Sequence, residues 1–199
     1  QRYEEDFAED DVVPDYISES LINKRVFNKG TVDRVLTDLM NRGIKINGGD
    51  KLGKSIVFAA TKEHARYIVE RFDALYPQYA GHFAACVVCS DDYAQTVIDD
   101  FKIAYKDPFI AVSVDMMDTG IDVPEAVNLV FFKKVRSKSK FWQMLGRGTR
   151  LCKDLNCVDT QSGEYADKKY FLIFDYGQNF DFFRTHKNGF ENGAVQSLT

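Results

Sequence analysis

Long apolar runs, disulfide-dense cysteine patterns and proline-rich stretches are missing from this sequence. Its 199 residues include four cysteines, four prolines, three histidines and one tryptophan. No apolar run approaches the roughly 18 residues that a membrane-spanning helix needs, so we expect no membrane segment. The chain opens at Gln1 without a signal peptide, and we therefore expect a piece of a longer protein.

The four cysteines do not form a zinc-binding pattern. Cys86 and Cys89 lie in AACVVCS, an apolar and β-branched run that predicts a strand. Residues three apart in a strand point to opposite faces, and no glycine or proline supplies the turn that a zinc knuckle needs. Cys152 and Cys157 lie in a polar stretch. We therefore expect no metal site, and free thiols in a reducing compartment.

Charge is unevenly distributed along the chain. The net charge of −4 argues against a protein that coats nucleic acid over its whole surface. Acidic residues are concentrated in the first fifteen positions. Basic residues are concentrated farther along, at Lys133, Lys134, Arg136, Lys138, Lys140, Arg147, Arg150 and Lys153. Such a run is often a solvated helix face, but a phosphate-binding pattern in the same stretch favours contact with an anion.

Short apolar runs alternate with amphipathic helical patterns. We predict strands at 55–60, 84–89, 109–114, 127–132 and 170–174, helices capped by Thr31 and Thr61, and helices at 93–105 and 139–145. This alternation implies βαβ units and an α/β three-layer sandwich, with helices on both faces of a mostly parallel sheet. We expect an acidic linker over 1–30, one domain over 31–180 and the start of a following segment over 181–199.

Residues 48–55, GGDKLGKS, match the phosphate-binding P-loop pattern. A working P-loop follows a strand and opens a helix whose N-terminus meets the phosphates. Here Lys54 and Ser55 lead into the apolar run Ile-Val-Phe, and the next helix is predicted only at Thr61. We therefore predict that Lys54 opens a buried strand, with a nucleotide site at this loop as the alternative.

The octet QMLGRGTR, Gln143 to Arg150, is the most informative stretch. Arg147 and Arg150 keep their charge at all physiological pH values, and the planar guanidinium matches phosphate oxygens in pairs. Neighbouring glycines let a backbone approach a ligand closely. A second segment, DTGIDVP over 118–124, ends shortly upstream. Since it follows the strand predicted to end at Val114, we expect all of 115–124 at the carboxyl ends of the strands.

These two segments, in this order, resemble motifs V and VI of superfamily 2 helicases and translocases. Residues 54–58, a base, a small hydroxyl and an apolar run, are similar to motif IV. DTGIDVPEAVNLVFF, the basic stretch after it and FLIFDYGQNFDFF look most like the motor (R) subunit of type I restriction enzymes. Val114 and Thr119 depart from the residues typical of DEAD-box relatives, which weakens that assignment.

The resemblance implies a second RecA-like domain that binds ATP and Mg²⁺ together with a first RecA-like domain absent from this chain. It implies that Arg150 is an arginine finger and that Arg147 contacts the γ-phosphate or braces the facing domain. Nucleotide-contacting positions would be Gln143, Gly146, Gly120 and Asp122, where Asp122 binds the ribose or pairs with an arginine of the octet. The isolated chain would then be a poor ATPase, and no nuclease pattern stands out in it.

The resemblance also implies contacts with the phosphates of double-stranded DNA, at Thr61, Lys62, Ser90, Asp115 and Thr119. The implied whole protein is a bacterial or archaeal cytoplasmic DNA translocase that works with methyltransferase and specificity subunits. Two alternatives stay open: another superfamily 2 motor, such as a repair helicase, and a silent RecA-like interaction module. Intact Gln143, Arg147 and Arg150 argue against the silent module.

Overall fold

A five-stranded, all-parallel sheet forms the centre of the computed structural model, which describes residues 28–88, 93–114, 122–153, 155 and 167–186. The strands lie in the order β4–β5–β3–β6–β7. Their bounds are β3 Ser55–Ala59, β4 Ala84–Val87, β5 Ile110–Ser113, β6 Asn128–Phe132 and β7 Leu172–Asp175. A two-stranded antiparallel hairpin, β1 Lys45–Ile46 and β2 Lys51–Leu52, precedes the sheet.

Helices cover both faces of the sheet. They are α1 Lys29–Arg42, α2 Lys62–Leu75, α3 Ala94–Phe101, α4 Lys138–Leu145 and α5 Asn179–Thr185. Val57 and Ala59 of β3 pack in one apolar cluster with α1 and α2, and Ile56 and Phe58 pack in another with α3 and α4. Strands buried on both faces are typical of parallel sheets. The predicted α/β three-layer sandwich is confirmed. Among the described helices, none is long and apolar enough to cross a bilayer.

Several element ends differ from their predicted positions. The N-cap of α1 is Asn28, whose side chain accepts from the Thr31 N–H at 3.3 Å, so the prediction that Thr31 caps this helix is wrong by one turn. Helix α3 ends at Phe101 rather than at residue 105, and β7 begins at Leu172 rather than at residue 170. Helices α1 and α5 also cross the boundaries expected at residues 31 and 180. The division of the chain into segments stays a prediction.

Lys54 is buried in the fold and does not face a phosphate site. Its side chain is 1% exposed, and its ammonium donates to the carbonyl oxygens of Pro108, at 2.8 Å, and Lys106. Burial lowers the pKa of this amine to about 8. Ser55 begins strand β3, and no helix follows it until α2. The P-loop alternative is therefore wrong, because the Lys54 ammonium is buried against backbone carbonyls and Ser55 opens a strand where a P-loop would open a helix.

The strands of the parallel sheet all begin at one end of the sheet, which we call the amino edge, and all finish at the other end, which we call the carboxyl edge. At the carboxyl edge, where strands end, the chain leaves β3 at Ala60 and β6 at Lys133. At the amino edge, where strands begin, Asp122 and Pro124 lead into β6. A connection between parallel strands has to cross from one edge to the other. The expectation that all of 115–124 lies at the carboxyl edge is therefore wrong for Asp122 to Pro124, and 115–121 lie outside the described residues.

His64 is a buried histidine just beyond the end of β3. It is fully buried, its Nδ1 accepts from the Ala60 N–H at 3.2 Å, and its ring lies edge-on to Phe132 with centroids 4.6 Å apart. Burial lowers the pKa of this imidazole from 6.5 to about 4. The folded chain therefore holds His64 neutral at a pH where the unfolded chain protonates it.

We expect His64 to contribute stability that is present above pH 6.5 and is lost as the pH falls towards about 4. The measurement is the free energy of unfolding in urea near pH 7 and near pH 5, for the wild type and His64→Asn. The difference between the two proteins should shrink at the lower pH. The exposed His82, changed to Asn, is the matched control. A difference of the same size at both pH values would contradict the expectation.

Candidate functional site

Helix α4 contains the first three residues of the octet, and the remaining five follow its C-terminus. The Ser137 hydroxyl caps its first turn by accepting from the Lys140 N–H at 3.4 Å. Phe141, Met144 and Leu145 are buried against the sheet, which leaves Gln143 exposed. The helix ends in a turn whose N–H groups donate back to helical carbonyl oxygens: Gly146 to Trp142, Arg147 to Met144 and Gly148 to Leu145. This turn brings the two arginines to the amino edge.

Arg150 forms an ion pair with Asp122. The Arg150 Nε lies 3.3 Å from Asp122 Oδ1, and the two side chains are 60% and 61% exposed. The structure thus brings together the octet and the upstream segment, with the arginine as the partner of Asp122. Because solvent screens an exposed pair, it contributes little to folding stability. Both groups stay accessible to a ligand. Arg147, by contrast, is half-buried.

The two glycines of the octet differ in how much space a side chain would have at each position. A Cβ on Gly148 would lie 2.3 Å from the ring of Phe171, the residue before β7. A Cβ on Gly146 would lie no closer than 3.3 Å to any atom. Gly148 is thus required by the packing of Phe171, a reason that the sequence did not reveal. At Gly146, at the end of α4, the nearest atoms would be the carbonyl oxygens of Gln143 and Trp142, at 3.3 and 3.4 Å, a tight contact but not the overlap found at Gly148.

Lys168 is a positioning residue that sequence reasoning missed. It is 5% exposed, and its ammonium donates to the carbonyl oxygens of Pro124, at 3.1 Å, and Ala126, at 2.6 Å. Its backbone N–H donates to the Cys152 carbonyl at 2.7 Å. One side chain thereby fixes the segment that presents Asp122. No local signal could have found it, because Lys168 lies in a polar stretch far along the chain from its partners.

Thr61 and Lys62, two of the predicted nucleic-acid residues, lie at the opposite edge of the sheet, after β3. Thr61 caps α2 by accepting from the His64 N–H at 3.1 Å, and Lys62 is exposed beside it. Hydrogen bonds from its own backbone N–H and from the Thr61 hydroxyl lower the pKa of the Glu63 carboxyl. A phosphate at this helix end would therefore compete with Glu63. The other predicted nucleic-acid positions, Ser90, Asp115 and Thr119, lie outside the described residues, as does Gly120, which was predicted to contact the nucleotide.

Metal-ligating side chains are not grouped in the described ranges. Within them, no set of three or more His, Cys, Asp or Glu residues could hold a metal ion. Cys86 lies in β4 and Cys152 follows the octet, both as reduced thiols. Cys89 and Cys157 lie outside the described residues.

The family of helicase conserved C-terminal domains matches residues 48–152, which is more than half of the chain. The chain belongs to this family. The match spans β3 to the octet, so it includes both edges of the sheet. It confirms the helicase resemblance that the two motifs predicted.

Among curated relatives, this helicase domain is 34% identical over 157 residues to the type I restriction enzyme EcoKI endonuclease subunit of Escherichia coli K12. That alignment covers 68% of this chain and 13% of the relative. The EcoAI endonuclease subunit of Escherichia coli is 26% identical over 167 residues, with 78% and 19% covered. The chain therefore spans less than a fifth of the length of either relative.

Solved structures agree with this placement. A fragment of an HsdR subunit of a type I restriction enzyme from Vibrio vulnificus superimposes with a TM-score of 0.62 at 25% identity, covering 82% of this chain and 29% of that one. Dbp5 of S. cerevisiae, bound to RNA and ADP BeF3, gives a TM-score of 0.52 at 18% identity, covering 79% and 36%. The second likeness shows the fold alone. Together the matches confirm the resemblance to the C-terminal helicase domain of a type I restriction R subunit.

We expect Gly148→Ala to destabilise the domain by about 1–3 kcal/mol, because the added methyl group forces the Phe171 ring to move. Gly146→Ala is the matched control in the same turn, and it should lose less stability, because its Cβ would contact two carbonyl oxygens at 3.3 and 3.4 Å without overlapping a ring. Urea unfolding of both variants measures the difference. Equal losses in the two variants would show that Phe171 does not determine the residue at 148.

Proposed function

We propose that this chain is the second motor domain of an ATP-dependent DNA translocase in a type I restriction–modification system. The observation that carries the proposal is the exposed pair of Arg150 and Asp122 at the amino edge, next to Gln143 and Gly146. Family membership and the type I restriction relatives support it. Another superfamily 2 motor, such as a repair helicase, would carry the same motifs. The two curated relatives described above are instead both type I restriction endonuclease subunits.

The residues of the amino edge fit the γ-phosphate of ATP. Arg150 supplies an exposed fork of N–H donors that now faces a single carboxylate oxygen. When a first RecA-like domain brings ATP and Mg²⁺, Arg150 exchanges Asp122 for phosphate oxygens and neutralises charge that develops during phosphoryl transfer. Arg147 adds a second contact or braces the facing domain. Gln143 and the backbone at Gly146 and Gly120 would complete the nucleotide contacts.

The opposite edge would bind the backbone of double-stranded DNA. We infer that Thr61 and Lys62 at this edge contact the phosphates, together with Ser90, Asp115 and Thr119, and that these contacts position the DNA without reading its sequence. Nucleotide and DNA would then bind to opposite ends of one rigid sheet. A domain rotation driven at the nucleotide edge would move the DNA edge along the duplex. In the whole protein, methyltransferase and specificity subunits would be the further partners, in the cytoplasm.

We expect the isolated chain to hydrolyse ATP no faster than a blank reaction. The buried Lys54 cannot bind phosphates, and the phosphate-binding half of the site belongs to the first RecA-like domain. Phosphate release from the purified chain, with and without duplex DNA, measures this. Turnover by the chain alone at rates typical of helicases would place a complete phosphate site within these 199 residues and contradict the proposal.

In the full-length parent protein, we expect Arg150→Ala to reduce ATP turnover by about 10³-fold or more, with a much smaller change in ATP binding. Arg150→Lys should restore little, because an ammonium lacks the planar fork. If Arg147 acts on the same phosphate, its loss should not multiply with that of Arg150. Turnover and ATP affinity are measured separately, by phosphate release and by equilibrium binding.

Arg184→Ala is the matched control, since Arg184 also forms an exposed pair, with its Nη2 3.3 Å from Asp181 Oδ1. Neither substitution should change folding stability appreciably. An Arg150→Ala protein that turns over ATP as fast as the Arg184→Ala protein would remove the basis for the proposed arginine finger.

A further inference from the structure

The basic residues between Lys133 and Lys153 fall into two groups. Between residues 133 and 153 the sequence has eight lysines and arginines and no acidic residue, within a chain of net charge −4. Helix α4 runs from the carboxyl edge to the amino edge and so separates them. The proposed nucleotide site uses Arg147 and Arg150, which follow the helix. The residues Lys133 to Lys140, which we call the basic loop, span the connection after β6 and the first turn of α4, and they have no role in that site.

The strand register places the basic loop beside the predicted DNA residues. Ala59 of β3 pairs with Phe132 of β6 in parallel, as the last pair of the two strands. The residues that follow, Ala60 and Lys133, therefore leave the sheet as neighbours. Thr61 and Lys62 continue on one side and the basic loop on the other. Two segments distant in sequence thus bring lysines to the same end of the sheet, after neighbouring strands.

Asn179 fixes the shape of the basic loop. This side chain is 1% exposed; its Oδ1 accepts from the Val135 N–H at 2.6 Å, and its Nδ2 donates to the Lys133 carbonyl at 3.0 Å. Asn179 therefore holds the backbone on both sides of Lys134. Val135 is buried as an anchor, and the flanking Lys134 and Arg136 are exposed.

The turn after β7 packs closely against the same loop. A Cβ on Gly177 would lie 2.1 Å from the Lys133 carbonyl oxygen, so only glycine allows this approach. The Arg136 guanidinium lies over the Phe182 ring of α5, 4.6 Å from its centroid. The loop is thus held in place by β7 and α5 through its backbone and through the Arg136 side chain.

The first turn of α4 carries positive rather than negative charge. Lys138 and Lys140 lie in the first turn of α4, which has no acidic residue, although a helix N-terminus favours negative charge. A polyanion along this edge would be favoured by the N-terminus of the helix and by its two lysines.

We propose that the basic loop, positioned by Asn179, binds the phosphate backbone of duplex DNA together with Lys62. The inference rests on the proposed function for the identity of the polyanion as DNA. The surface contributes affinity without sequence preference, because phosphate contacts carry no sequence information. It extends the DNA edge from the end of β3 across the end of β6.

The test is the salt dependence of duplex binding by the full-length parent protein. A fluorescent duplex of arbitrary sequence is titrated at several NaCl concentrations, and the slope of log Kobs against log [NaCl] is measured. The double variant Lys134→Gln, Lys138→Gln should bind more weakly, with a slope smaller by about 0.9 for each phosphate that it no longer neutralises. The matched control is Lys153→Gln, Lys169→Gln, which removes two exposed lysines at the amino edge and should leave the slope unchanged.

Asn179→Ala tests the positioning role. Partial unfolding alone would lower the fraction of active protein without changing the salt slope, whereas a displaced loop lowers the slope itself. A slope reduced as in the lysine variant supports the role, and a wild-type slope contradicts it.

Two outcomes would overturn the inference. If the Lys134, Lys138 variant has the same salt slope as the wild type, the basic loop does not bind phosphates. This holds even if the wild type binds DNA as the proposed function expects. DNA would be the wrong ligand if the wild type bound duplex RNA more tightly than duplex DNA and only the Lys134, Lys138 variant lost this RNA binding. A wild-type parent that binds no duplex DNA would instead contradict the proposed function itself.

Discussion

Strand β3 lies at the centre of the sheet, hydrogen-bonded in parallel to β5 on one side and to β6 on the other. Every residue of β3 is buried, and its side chains alternate between two apolar clusters. Burial on both faces stabilises the strand and makes a shift of register costly, because a slip of one residue would exchange its two faces. That fixed register determines which loops meet at each edge, and therefore which functional residues can act together.

Helix α4 connects the two edges. Its first turn is part of the basic loop, and the two arginines follow its C-terminus. Phe141, Met144 and Leu145 pack it against the sheet. In the proposed function, ATP binding at the C-terminal end of α4 would move the helix as a unit, and its N-terminal end would then shift the DNA contacts. The exposed Arg150 and Asp122 pair suits such a role, since a weakly held arginine can change partners at small energetic cost.

Two buried lysines hold the loops of the amino edge. Lys54 donates to the carbonyl oxygens of Lys106 and Pro108, and Lys168 to those of Pro124 and Ala126. Each satisfies polar backbone groups that would otherwise be costly to bury. Lys168 fixes the segment of Asp122, and so connects a structural interaction directly to the candidate nucleotide site.

The sequence by itself determined the α/β class, the apolar faces of α1 and α2, the Thr61 cap and the helicase motifs. Those features depend on periodicity and on residues close together in the chain. Only the tertiary structure decided that Lys54 is enclosed, that Gly148 accommodates Phe171, that Asp122 lies at the amino edge and that Asn179 holds the basic loop. The physical reason is the same in each case. These interactions join residues distant in sequence, which only the register of the parallel sheet brings into contact.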